Sequence, residues 1–332
     1  MIHIITRADI RPDFIYIQHE SIKKYVKCDY EYIVLNNAID DSGKHKEISR
    51  ICKELNIKCV DITLDEDLKY LGGEKNFNDE KNKYLNPNLA SAYSTTWTFK
   101  KYITDEKYIC NIDADIFFIR DIDLEKLILQ TEFIYIPQYR AGGQVHYAWN
   151  PFFLVNLEKN KNLKDLQWIN GTVLGDRCDV GGPNHYDLIK FKPKYIHIEE
   201  YCIYEIKKDA NQNLKIQYTQ NGNVNYELAV DSNLNFISLS HIGGFKLEKN
   251  KTFPHEPDFD NYDDYIFKKI INIIKLFIYK NIEFPKPEII AFMGFMNDNN
   301  HFAVHYKGGS NYMSCYTNEY NIKKTKEIKK LI

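Results

Sequence analysis

With 332 residues, 44% hydrophobic and 27% charged, and a formal net charge of -2, the chain has the make-up of a globular protein large enough for one catalytic domain of roughly 250 residues plus an appendage. The near balance of charge predicts no nucleic-acid surface, and no apolar run reaches the ~18 residues needed to cross a bilayer. Seven cysteines, an odd number without CxxC spacing, argue against a disulfide framework or a zinc site and for thiols in a reducing compartment. The opening MIHIITRADI has no basic leader, long apolar core or cleavage site, so the expected location is cytoplasmic.

Residues 2–5 form a short apolar run, and apolar residues recur at helical spacing from Phe14 to Tyr25. YEYIVL, a helical stretch around Ile48 to Leu55, and KCVDI complete a strand, helix, strand, helix, strand order over the first 62 residues, which favours a parallel sheet with helices on its faces. The polar, Asn-rich stretch 72–90 reads as a long loop over a site. A helix over SAYSTTWTFKKYI and a strand over KYICNIDADIFFI follow. EFIYIPQ and WNPFFLVNL read as further strands around the loop RAGGQ, and NFISLSHIGG as a last core strand entering a glycine turn.

The segment 262–279 is an amphipathic helix with lysines beside an apolar stripe. Packing on the catalytic domain is the commoner outcome for such a helix; peripheral docking on a membrane surface is the other. The closing KKTKEIKKLI reads as a solvated basic tail, and no internal repeat is evident. The expected organisation is an α/β domain over 1–250, in two halves of about 1–125 and about 126–250, then a C-terminal helical extension over 251–332.

Asn111-Ile112-Asp113-Ala114-Asp115-Ile116-Phe117-Phe118 places two acids inside an apolar strand. Buried carboxylates are costly unless something positive meets them. Residues i and i+2 of a strand share a face, so Asp113 and Asp115 are expected together at a strand's carboxyl end, where open α/β sheets bind ligands. Oxygen ligands there suit Mg²⁺ or Mn²⁺ bridging a diphosphate.

In these residues the chain resembles glycosyltransferases of the GT-A fold, in particular the family that includes glycogenin and bacterial lipopolysaccharide galactosyltransferases. YICNIDADIFFIRDIDLEKL follows that family's order of strand, Asp-x-Asp, acidic residue and leucine-bearing helix, through Asp121 and Leu124. The resemblance implies a mixed, mainly parallel sheet and transfer of a hexose or N-acetylhexosamine from a UDP-type donor to a glycan, lipid or protein hydroxyl. It also implies a basic residue on the preceding helix, at Lys100 or Lys101. His241-Ile242-Gly243-Gly244-Phe245-Lys246 resembles the family's His-x-x-Gly-x-x-Lys with the lysine one residue early. His241 would be a third metal ligand, which suits Mn²⁺, and Lys246 a diphosphate contact.

By the same resemblance, base and ribose lie over the first strands, at Thr6, Arg7 and the Asn36 region, and Asn150 falls near the sugar. Asp179, in Cys178-Asp179-Val180-Gly181-Gly182-Pro183, is the leading catalytic candidate, with Asp176 behind it, because glycines admit a ligand and a carboxylate can accept a sugar hydroxyl or act as base. Tyr147, Trp149 and Trp168 are possible ring platforms, although core aromatics are commoner. The rivals are a phosphohydrolase built on the same aspartates, disfavoured by Phe117 where a small hydroxyl residue is wanted, and a non-catalytic carbohydrate-binding protein.

Overall fold

In the computed structural model, which describes residues 1–38, 43–62, 87–221, 224–242, 262–283, 290–295, 301–307 and 318–332, the alternation of the first 62 residues forms as the pattern predicts. The elements are β1 (Ile2–Ala8), α1 (Asp13–Tyr25), β2 (Tyr30–Asn36), α2 (Lys44–Glu54) and β3 (Lys58–Asp61). Then come α3 (Pro87–Trp97), which continues as a π-helical turn over Thr98–Tyr102, β4 (Tyr108–Asp113), β5 (Ile116–Phe118), α4 (Leu124–Leu129), β6 (Phe133–Arg140) and β7 (Val145–Asn156). The hairpin β8 (Gly171–Val173) and β9 (Asp176–Cys178) leads into α5 (Asn184–Phe191) and β10 (Tyr195–Lys208). Most of the loop expected over 72–90 lies outside the described residues; its last four residues already belong to α3.

The described chain divides into two compact units, and His197 is the last described residue of the first. Its sheet runs β3-β2-β1-β4-β7-β6, closed by the first three residues of β10. β1 to β4 pair in parallel and β7 runs against its neighbours, so the expected mixed, mainly parallel sheet is what forms. Alternation along the strands sends even positions of β1 and β2 to α1 and α2: the Tyr32 hydroxyl donates to Gln18, and the Asn36 amide donates to the His45 carbonyl. Odd positions form the main core, where Ile5, Ile33, Leu35 and Ile109 meet Phe99, Trp168 and Leu188. Trp168 stacks on Phe153 at 4.2 Å and 11°. Burying one such side chain contributes roughly 1.5–3 kcal/mol.

The second unit starts at Ile198, where β10 exchanges its pairing with β6 for pairing with β11 (Leu214–Gln220) and β14 (Ile290–Phe295). The division therefore falls about fifty residues before the boundary expected near 250. β12 (Val224–Val230), β13 (Phe236–Ile242), α6 (Tyr262–Tyr279), β15 (His301–Tyr306) and α7 (Asn318–Leu331) complete it. The extension is thus not purely helical. Its strands are antiparallel, in the order β13-β12-β11-β10-β14-β15. A short repeat that the sequence reading missed builds two of the turns. In Asp209–Asn213 and Asp231–Asn235 the leading carboxylate accepts backbone N–H bonds from the third and fifth residues, and the fourth residue takes φ 65° and 64°. β13 is mostly exposed rather than a core strand.

Neighbouring glutamates on β10 face opposite ways. Glu199 pairs with the buried Lys269 of α6 at 2.5 Å, and Glu200 with His305 and Lys307 at 2.7 and 2.8 Å. Burial works to raise Glu200, but Lys307 and His305 outweigh it and hold the carboxyl at about 2. Ile266, Ile270, Ile273, Ile274 and Phe277 are buried, so the apolar stripe of α6 is spent inside its own unit and the lipid-docking alternative loses its face. The basic tail is likewise a packed helix, with Lys324, Glu327, Ile328 and Leu331 buried. Among the described residues no helix is long and apolar enough to cross a membrane.

In the first unit the Tyr135 hydroxyl lies 2.9 Å from His146 Nε2 and 3.1 Å from His197 Nε2. Burial, reinforced by His185, lowers His146 from 6.5 to about 4. The unfolded chain therefore binds more protons between those values, and stability present above pH 6.5 is lost as pH falls towards 4, by up to about 3 kcal/mol. In urea unfolding at pH 4 to 7, His146→Phe is expected to flatten this dependence; an unchanged slope contradicts the assignment.

Candidate functional site at the carboxyl edge of the sheet

β4 stops at Asp113, and Asp113-Ala114-Asp115 forms a turn before β5 resumes at Ile116. The two acids therefore do not share a strand face as i and i+2, contrary to the expectation. The turn keeps them adjacent at the carboxyl edge, Asp113 half-buried and Asp115 only 2% exposed. Gln18 closes the turn from α1: its amide nitrogen donates to the carbonyls of Asp113 and Ile116, both at 2.8 Å. Phe117, two residues past Asp115, is fully buried with its ring edge on Phe14, as a packing residue would be.

Beside the turn, Arg7 is in register with Asp113 and Leu35, and the ladder runs on through the Asn37 N–H to the Ala8 carbonyl at 2.9 Å. By alternation Arg7, Asn37 and Asp113 share one face. Among the described residues Thr6 Oγ1, Arg7 Nη1 and both amide atoms of Asn37 are buried without a hydrogen-bond partner; Thr6 is 1% and Asn37 2% exposed. A buried polar atom left so costs roughly 1–3 kcal/mol. Trp168 Nε1 and Tyr102 OH are further such atoms; Thr6, at an even position of β1, faces the helices with Asn36, while the atoms of Arg7 and Asn37 sit at two neighbouring strand ends on the face of Asp113. Asn36 is different. Its amide donates to the His45 carbonyl and the Ser49 hydroxyl and its oxygen accepts from Ala38, so it secures α2 on the other face.

The far side of the edge is built by β7. Phe152 pairs with Ile112, so residues before it run past the end of β4. Asn150 sits at a bulge there, its carbonyl accepting from Asn111 and its amide donating to Ser91 of α3 at 2.5 Å. Asn184 clasps the Ala148 backbone, accepting at 2.9 Å and donating at 3.0 Å, and draws the loop 179–183 onto β7. Gly181, at φ +96°, has no room for a side chain: a Cβ would lie 2.2 Å from the Ala148 carbonyl oxygen.

Asp179 is half-buried in this loop; its carboxylate accepts from Val180 N–H, and its own N–H donates to the Tyr147 hydroxyl. Burial pushes Tyr147 up to about 12 against the pull of Arg140, so it stays a neutral phenol, donating to Gln138. Asp176 instead accepts the Ala141 N–H at 2.5 Å, clamping the β8–β9 hairpin, and reads as a structural acid rather than a catalytic one. Tyr147 and Trp168 are wholly buried and Trp149 half-buried, so Trp168 belongs to the core and not to a sugar platform.

Lys100 is exposed on the π-helical turn that leads into the start of β4. α3 begins beside Asn150 and ends at the amino edge, which takes Lys100 and Lys101 away from the aspartates. His241 belongs to the second unit, edge-on to Tyr226, and Lys246 lies outside the described residues. Among the described residues no three or more His, Cys, Asp or Glu side chains gather to hold a metal. Asp113 and Asp115 are the oxygen donors at the turn, and a hard cation held by one or two carboxylates takes its other ligands from phosphate and water. A hollow of about 490 Å³ lined by Tyr30, Glu31, Asn56 and Lys58 lies at the opposite, amino edge, where β2 and β3 start.

Gln18, Ser91 and Asn184 escaped the sequence reading, and Asn37 entered it only as part of the Asn36 region. Gln18 had a readable signal, an amide on the apolar stripe between Ile15 and Ile22, and Asn37 had one in strand parity.

No family model matches the chain, and no curated protein does. Among solved structures it is similar to the galactosyltransferase LgtC in complex with donor and acceptor sugar analogues, with 16% identity, 47% of this chain and 58% of that one covered, and a TM-score of 0.32. An active-site mutant of LgtC gives 15% identity, the same coverages and 0.31. The chain thus spans 58% of the length of those proteins. Likeness at this level decides nothing about the site, whose reading rests on its own geometry.

Because Gly181 fits a space no side chain can share, Gly181→Ala is expected to cost more than about 1 kcal/mol, read as a lowered urea midpoint. Gly175→Ala, where a Cβ meets nothing within 4 Å although φ is +86°, is expected to cost less. Equal losses contradict the packing argument.

Proposed function

We propose that this protein is a metal-dependent glycosyltransferase of the GT-A fold, moving a hexose or N-acetylhexosamine from a nucleoside diphosphate sugar, in the first place a UDP-sugar, to a hydroxyl of a glycan, lipid or protein acceptor. The observation that carries the reading is that Arg7 and Asn37, on the face and edge that bear Asp113, hold buried polar atoms without a partner among the described residues. Asn37 offers an amide donor and acceptor, the pattern that pairs with the edge of a nucleobase. Arg7 offers a cationic donor next to Asp113, where a diphosphate would lie. Asp113 and Asp115 would hold Mn²⁺ or Mg²⁺, which supplies charge neutralisation to the departing diphosphate. Asp179, on a loop anchored to β7, would accept a hydroxyl proton or orient the sugar.

Thermal shift tests the reading, because a ligand that binds only the native state raises the midpoint. UDP is expected to raise it in the presence of Mn²⁺ and much less without. Asn37→Leu is expected to weaken UDP binding about tenfold or more. Asp113→Asn and Asp115→Asn are each expected to lower metal-dependent UDP-sugar hydrolysis about a hundredfold or more while keeping the native melting cooperativity. Full turnover in either aspartate variant, or no metal-dependent shift with any nucleoside diphosphate, contradicts the assignment.

A further inference from the structure

We propose that Gln18 is the positioning residue of the carboxylate turn: from the buried face of α1 it fixes the backbone on both sides of Asp115 and so sets the spacing of Asp113 and Asp115 before any ligand arrives. The inference rests on the reading of those two aspartates as a cation and diphosphate site.

A glutamine amide has two N–H donors and one oxygen acceptor. Gln18, 1% exposed, uses both kinds: its nitrogen donates to Asp113 O and Ile116 O at 2.8 Å each, and its oxygen accepts the Tyr32 hydroxyl at 2.7 Å. Backbone carbonyls turned into the protein need a donor there, and those of Asp113 and Ile116 find it in α1. Burial raises Tyr32 well above the ordinary phenol range, so its hydroxyl remains a neutral donor and fixes which way the amide points.

The rest of α1 follows the same stretch of chain. Phe14 meets the Phe117 ring edge-on at 5.5 Å, and the Ser21 hydroxyl donates to Phe118 O at 2.9 Å. Further on, Ile122 N donates to Tyr25 O at 2.8 Å. Residues 14, 18 and 21 lie on one face of the helix. Of these contacts, the Gln18 amide alone spans the two acids; the Phe14 and Ser21 contacts grip β5. Groups that orient metal-binding side chains from behind are worth about 10- to 100-fold in metal affinity. Ser21→Ala therefore serves as the control, a lost buried hydrogen bond to the same segment without hold on the carboxylates.

The test is Mn²⁺ titration of the full chain in the presence of UDP, followed by electron paramagnetic resonance of the free ion, with melting midpoints recorded alongside. Gln18→Met, which keeps the shape and removes both donors, is expected to weaken Mn²⁺ binding about tenfold or more. Tyr32→Phe, which frees the amide to turn, is expected to weaken it about threefold. Ser21→Ala is expected to lower the melting midpoint with Mn²⁺ affinity unchanged. For UDP-sugar hydrolysis, Gln18→Met is expected to recover to within about threefold of wild type at saturating Mn²⁺.

Wild-type Mn²⁺ affinity in Gln18→Met, or an equal loss in Ser21→Ala, overturns the inference while leaving the proposed function standing. Should Gln18→Met fail to fold, unchanged Mn²⁺ affinity in Tyr32→Phe overturns it. If the wild-type protein binds no Mn²⁺ with UDP present, the proposed function fails and the inference with it.

Discussion

The first unit depends on how the chain leaves the sheet between Asp113 and Ile116. Two apolar strand segments are interrupted by a turn that carries two acids, one of them almost wholly buried, and the backbone carbonyls on either side of Asp115 that point to α1 need donors there. The amide of Gln18 supplies them. Arg7 and Asn37 stand at the neighbouring strand ends, Asn150 lies on β7, and Gly181 packs against β7 at Ala148.

This edge is costly to stability. Four buried polar atoms of Thr6, Arg7 and Asn37 have no partner among the described residues, a penalty of roughly 1–3 kcal/mol each. The aromatic core behind them offsets it: Trp168, Phe153 and Phe99 stack beneath the same strands. On the other side of the edge the backbone is satisfied, with Asn184 standing in as a strand partner for Ala148. Satisfied scaffold beside unsatisfied strand ends is the distribution expected of a preformed ligand site.

Much of the fold was legible in the sequence because it depends on local periodicity. The strand and helix alternation over residues 1–62 and the helix over 262–279 follow from apolar spacing alone. What escaped depends on distant partners or on parity. The identity of Asp113 and Asp115 could be read, but not the turn between them, because the residue that closes it is Gln18, 95 and 98 positions away from the carbonyls it binds. Asn36 and Asn37 look alike in sequence, yet the strand sends one to α2 and the other to the site face. Lys100 failed through direction, since α3 runs away from the carboxyl edge as it approaches β4. The unit boundary escaped because β10 is one unbroken strand that changes pairing partners after its third residue.

The most direct measurement is a crystal structure of the protein grown with Mn²⁺ and UDP, with anomalous differences collected at the manganese edge. The account predicts a peak bound to the carboxylates of Asp113 and Asp115, with the base against Asn37. A peak elsewhere, or those carboxylates turned from the cleft with the nucleotide bound at another edge, contradicts it.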